Sequence, residues 1–141
     1  MRNAKKRIIA GLSAAMIAAG MGIAVPAAAQ AETYSASCAG THLKTVSVKN
    51  STGTVIGRLG MYRDGTKFCA IGVKAGGVYG VPTFTQLVIY SSIDYGKDDG
   101  DFKYRTDAIT INARPGSCVV AQLIVRTKAG NNQWNDINTC E

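Results

Sequence analysis

The feature that most constrains this chain is an apolar alternation of period two, which begins near Leu43 and recurs between glycine-rich turns almost to the C-terminus. Successive side chains leave a pleated backbone on opposite faces, so this period marks half-buried strands. LKTVSVK (43–49) places Val46 and Val48 on one face, and TVIGRLGMY (54–62) does the same for Val55, Leu59 and Met61. Arg63-Asp64-Gly65-Thr66 follows, and Asp-Gly supplies the positive-φ step of a tight hairpin. The returning run Lys67–Ala75 is expected to point Cys69, Ile71 and Val73 inward. Ala75 to Pro82 reads as a glycine-rich loop, and FTQLVIYS (84–91) as a further strand. DYGKDDGD (94–101) reads as a polar, turn-rich loop. DAITINA (107–113) alternates again, with Ile109 and Ile111 inward. VVAQLIV (119–125) is apolar on both faces, as expected of a central or doubly covered strand. No segment after residue 31 has a helical period. The expectation is an all-β domain, an antiparallel sandwich or small barrel of about seven short strands.

The opening residues set the compartment. Arg2, Lys5, Lys6 and Arg7 precede an apolar run from Ile8 to Val25, then Pro26 and the small-residue site Ala29-Gln30-Ala31. That order is a secretory signal peptide, expected over residues 1–31 and cleaved near Glu32, with residues 32–141 as one secreted domain. No membrane association is expected once it is removed. Of the 16 Lys and Arg, four leave with the leader, so twelve remain against nine Asp and Glu. Those twelve are scattered along the sequence without forming a stripe, and no nucleic-acid partner is expected.

Cys38, Cys69, Cys118 and Cys140 all lie in the secreted part. An even count in a small exported domain implies structural bridges. No C-x-x-C is present for redox chemistry, and zinc would lack close-spaced ligands, since His42 is the only histidine. Four cysteines allow three pairings; Cys38–Cys69 and Cys118–Cys140 are favoured, because each joins a strand to a flanking end of the chain.

The order of these features resembles the small secreted actinobacterial proteins related to spore-associated protein A. The residues that carry the resemblance are an early cysteine after the leader, LGMY leading through a polar turn to Cys69, then GDFKY, DAITINA and PGSCVV, and a cysteine beside the C-terminus. The resemblance implies a secreted protein retained at the cell or spore surface, with cell-wall or spore-surface components as partners. It implies no catalytic residue and no cofactor. Val119-Val120-Ala121-Gln122 stand where that family tends to carry tryptophan and glycine, so nothing is transferred to those positions.

Catalytic equipment is sparse. The glutamates are Glu32 and Glu141, at the two ends of the secreted part, and a triad would have to use His42. No catalytic residue is assigned. Asp94, Asp98, Asp99 and Asp101 form the one weak metal candidate, a calcium loop, but their spacing departs from an EF-hand and a solvated turn is favoured. Tyr62, Tyr79, Tyr90, Tyr95, Phe102, Tyr104 and Trp134 would suit a polysaccharide platform only if several rings were exposed together; most are expected in the core or at strand edges. The expected function is non-catalytic binding at a cell or spore surface. The alternative is a secreted inhibitor or toxin-like effector working through an exposed loop such as GGVYGVP (76–82).

Overall fold

Gly65 takes a φ of 64° between Asp64 and Lys67, which pair directly across the turn. This is the Asp-Gly hairpin expected from sequence, and it joins two strands of the first sheet paired over eight positions. The computed structural model describes residues 38–140; the leader, its cleavage site, Glu32 and Glu141 lie outside the described residues. Eight strands follow in order: β1 (Thr41–Lys49), β2 (Val55–Asp64), β3 (Lys67–Lys74), β4 (Thr83–Tyr90), β5 (Tyr95–Phe102), β6 (Ile109–Asn112), β7 (Val119–Arg126) and β8 (Asn132–Thr139). Among the described residues the only other element is a 3-10 turn at Gly76–Val78.

The strands form two antiparallel sheets, β1-β2-β3-β6 and β5-β4-β7-β8. They pack face to face as a sandwich. The chain crosses between sheets after β3, β5 and β6, so each sheet is built from both halves of the sequence. The core is where the inner faces meet. Val48, Leu59, Met61, Phe68 and Ile111 come from the first sheet; Leu87, Ile89, Leu123, Val125 and Ile137 come from the second. β7 is central in its sheet, as its apolar sequence implied: Val119, Ala121, Leu123 and Val125 are fully buried.

Two sequence expectations need correction. Cys69, Ile71 and Val73 do not face the main core. They form a second cluster with Cys38, against which Tyr62 and Ala108 pack. The core-facing side of β3 is Phe68 and Ala70, continued at Gly72, beside Leu123 of the other sheet, and Lys74. β3 is buried on both faces, so period two could not choose between them. The second correction concerns residues 95–102, which are strand β5 rather than a loop; it pairs with β4 over eight positions. Asp and Gly are poor strand formers in isolation, but a long in-register partner overrides that preference.

Glycine permits the close approach of the sheets. A Cβ on Gly72 would overlap the Leu123 side chain, and one on Gly57 would lie 2.9 Å from Val125 Cγ2. Gly72→Ala should therefore lower stability by about 1–3 kcal/mol through overpacking. Gly77→Ala, at a position with nothing within 4 Å, is the control and should leave the urea midpoint nearly unchanged. Equal midpoints for the two variants would contradict this account of the sheet spacing.

Candidate functional site on the outer face of the second sheet

Each sequence-derived candidate has a definite place in the fold. His42 sits exposed on β1, where its Nε2 is 2.8 Å from Thr45 Oγ1 and its ring meets Tyr62 edge-on at 5.1 Å. The loop after β3 is tied down at several points. Gly80 N–H donates to Lys103 O (2.8 Å), Val81 N–H donates to Val78 O (3.2 Å), and Tyr79 packs edge-on against Tyr104.

The four aspartates do not converge. Strand alternation sends Asp99 and Asp101 to the outer face of β5, and Asp98 to the inner side. Asp98 Oδ2 accepts from the Asp107 N–H at 2.8 Å. Asp94, before the strand, accepts through Oδ2 from the Asn112 N–H at 2.8 Å and through Oδ1 from the Tyr95 N–H at 2.9 Å. Asp99 pairs with Lys97 at 3.3 Å. Among the described residues, no group of three His, Cys, Asp or Glu side chains is arranged to hold a metal ion. What Asp94 and Asp98 do is clasp β5 of one sheet to β6 and its approach in the other, closing that side of the sandwich. Charged residues along β5 also guard an edge strand against pairing with another chain.

The backbone donors of Asn112 and then Tyr95 hold the Asp94 carboxyl below its usual value of 3.8. A depressed carboxylate contributes stability above its unfolded pKa and loses it as pH falls through the folded value. The clasp should therefore hold at neutral pH and weaken below about pH 4. The protection of the Asn112 amide, the intrinsic exchange rate divided by the rate read by NMR at each pH, should fall in that window. Asp94→Asn should remove the pH dependence, and an unaltered profile in that variant would refute the assignment.

Sequence reasoning missed Lys74. It is fully buried and lies on the core side of β3. Its Nζ donates to Val81 O (2.6 Å), Thr83 Oγ1 (2.6 Å) and Phe102 O (2.7 Å). Burial pulls its pKa from 10.5 down to about 8, with the Asp101 carboxylate partly opposing. A lysine with such a pKa is a nucleophile where substrate can reach it. Here all three ammonium protons are engaged and no surface is exposed, so the group is a structural rivet between the sheets. The available signal was its place in the Phe68, Ala70, Gly72 series.

The aromatic residues separate into two groups. Tyr62, Tyr79 and Phe102 are partly buried, and Tyr104, 46% exposed, stands away from the second sheet's outer face with its ring edge-on against Tyr79. Tyr90, Tyr95 and Trp134 are 45%, 61% and 61% exposed, and all three stand on the outer face of the second sheet. Register fixes that placement. Tyr90 lies opposite Tyr95, Trp134 opposite Ile124, and Ile124 opposite Gln86, which shares a strand face with Tyr90. Gln86, Val88, Gln122 and Ile124 make a half-buried floor between the aromatic ends. Beside Trp134, a shallow groove of about 560 Å³ continues past the edge of β8 toward Val46, Ser47 and Lys49 of β1. Arg126 lies over the Phe84 ring at 4.9 Å and donates from Nε to Asn132 Oδ1, so it does not project freely.

Cations that look scattered in sequence are unevenly divided in space. Segments 38–74 and 103–114, which build the first sheet and its flank, carry nine Lys and Arg against two Asp. Segments 75–102 and 115–140 carry three against five. Among the described residues no helix is long and apolar enough to cross a membrane. Comparisons of the chain with protein-family models, curated proteins and solved structures return no match.

Proposed function

We propose that this chain is a secreted, non-catalytic protein that acts by binding at the cell or spore surface, and that the outer face of its second sheet is the surface that binds. One observation carries the proposal. The domain packs Leu59, Met61, Leu87 and Leu123 completely out of water, yet leaves Trp134 and Tyr95 each 61% exposed on one regular sheet face. Large aromatics gathered on an otherwise polar surface mark interaction sites. Two disulfides, Cys38–Cys69 and Cys118–Cys140, suit an oxidising compartment, in keeping with the signal peptide expected from sequence. The competing effector reading needs a free loop at residues 76–82, and the Gly80 N–H bond to Lys103 O and the Lys74 Nζ bond to Val81 O hold that segment to the body of the domain. The test is co-sedimentation of residues 32–141 with cell-wall and spore-coat fractions. The protein should pellet with at least one fraction and be released by Trp134→Ala. Protein that stays in the supernatant with both would overturn the proposal.

A further inference from the structure

We infer that the ligand of this face is an extended, uncharged, β-linked polysaccharide built of glucose or N-acetylglucosamine units, lying diagonally from Tyr90 and Tyr95 to Trp134. The inference rests on the surface-binding reading and supplies its ligand. Trp134 is displaced from Tyr90 by four residues along the strands and by two strands across the sheet. At ~3.4 Å per residue and ~4.8 Å per strand, the diagonal is about 17 Å. That length suits a chain of several sugars rather than one. The β4–β5, β4–β7 and β7–β8 registers run without a bulge, so the face is an uninterrupted ribbon. A straight β-linked chain follows such a surface, whereas a coiled α-linked chain meets it at one point only.

The chemistry along the diagonal alternates as a sugar chain does. The rings of Tyr95, Tyr90 and Trp134 offer apolar area to the C–H faces of pyranoses. Midway between them Gln122 presents an amide, with donors and acceptors for hydroxyl or acetamido groups, and Gln86 stands to one side, level with Trp134 and across Ile124. Charge decides against other occupants. On this face Lys97 is paired with Asp99, Arg126 is engaged by Phe84 and Asn132, and Asp101 and Asp136 add two further carboxylates. No run of one sign is left for a polyanion, and the strongly basic half of the molecule is the other sheet. With Lys97 and Arg126 against Asp99, Asp101 and Asp136 the face would repel a polyanion, while a chain without charge meets its aromatic rings at no electrostatic cost.

Trp134 is the only tryptophan in the chain, so its emission reports this face directly. The mature protein would be titrated with cellohexaose and chitohexaose, and in parallel depleted onto insoluble cellulose, chitin and amylose. About 0.5 M NaCl would be present to screen exposed charges beyond a few Å. The expected result is a blue shift with one of the β-linked hexasaccharides and depletion by the matching solid, with little on amylose. Tyr95→Ala should weaken binding about tenfold, and Trp134→Ala should do so in the depletion assay, as loss of a central aromatic anchor does. Both exposed substitutions should leave the melting temperature unchanged. Absence of a shift and of depletion for both β-linked polymers would overturn the inference, as would binding indifferent to Tyr95→Ala. Pelleting with wall fractions without binding to either polymer would leave the surface reading standing and remove this ligand. Concentration-dependent dimers broken by Trp134→Ala, with no sugar binding, would assign the face to a second copy of the chain.

Discussion

Lys74→Ala should lower the unfolding free energy by about 3–5 kcal/mol, read as the urea midpoint at pH 7. Two effects add. Truncating a fully buried long side chain leaves a cavity, for which comparable Met→Ala changes cost about 2–5 kcal/mol. It also strips the donor from Val81 O and Phe102 O, and an unsatisfied buried acceptor costs about 1–3 kcal/mol. One effect opposes. Burial holds the ammonium pKa down at about 8, so the charged form is disfavoured in the fold, and removing the charge returns part of that cost. Lys74→Met separates these contributions, because it keeps the stem and deletes the donors. It should fall between wild type and Lys74→Ala. The sign of the pH dependence follows from the lowered pKa. Between about 8 and 10.5 the unfolded chain holds the proton that the folded chain has released. Stability of the wild type relative to Lys74→Met should therefore rise with pH across that window. A flat difference would mean that hydrogen bonding to the three acceptors offsets the desolvation in full.

Removing the Cys38–Cys69 bridge, as the Cys38→Ala/Cys69→Ala double variant, should cost ~3–4 kcal/mol from loop closure. The bridge spans 31 positions. A further loss is expected because Cys38 and Cys69, at 7% and 4% exposure, are the lid and floor of the cluster that covers Ile71 and Val73. For a domain with a net stability of roughly 5–10 kcal/mol, that is a large fraction. Cys118–Cys140 spans 22 positions and both its residues are exposed, so its loss should cost the loop-closure part alone. Under graded reductant, alkylation and mass mapping should find Cys118 and Cys140 labelled before Cys38 and Cys69, since access governs thiolate attack. The reverse order would show that the Cys38 lid opens more readily than its burial implies.

The strands whose sequences alternate cleanly were legible without the fold. Val46 and Val48, Leu59 and Met61, and Ile109 and Ile111 face the core as their spacing requires, but Val55, expected beside Leu59 and Met61, does not: the irregularity between Val48 and Lys49 puts Ile56 in the core instead. The Asp64-Gly65 turn was legible too, because a hairpin needs a positive φ, and so was the presence of two bridges; of the three possible pairings the favoured one is the one the fold shows. β5 and β8 were not. Their residues are polar and glycine-rich or amide-rich, and they become strands only because β4 and β7 offer continuous edges to pair with.

The candidate site was hidden for a related reason. Tyr90, Tyr95 and Trp134 lie on three different strands, and only the β5-β4-β7-β8 order brings their side chains onto one face. Sequence alone determined that the chain makes strands, where its tight hairpin turns and that its four cysteines bridge in pairs. Those properties depend on side-chain alternation, local φ requirements and covalent chemistry, all of which act over a few residues or through a fixed bond. The tertiary structure decided which face of β3 meets the core, that Lys74 is enclosed between sheets, and that three aromatics share one exposed surface. Each of these depends on which strands become neighbours, and that is set by the burial free energy of the whole sandwich rather than by any one segment.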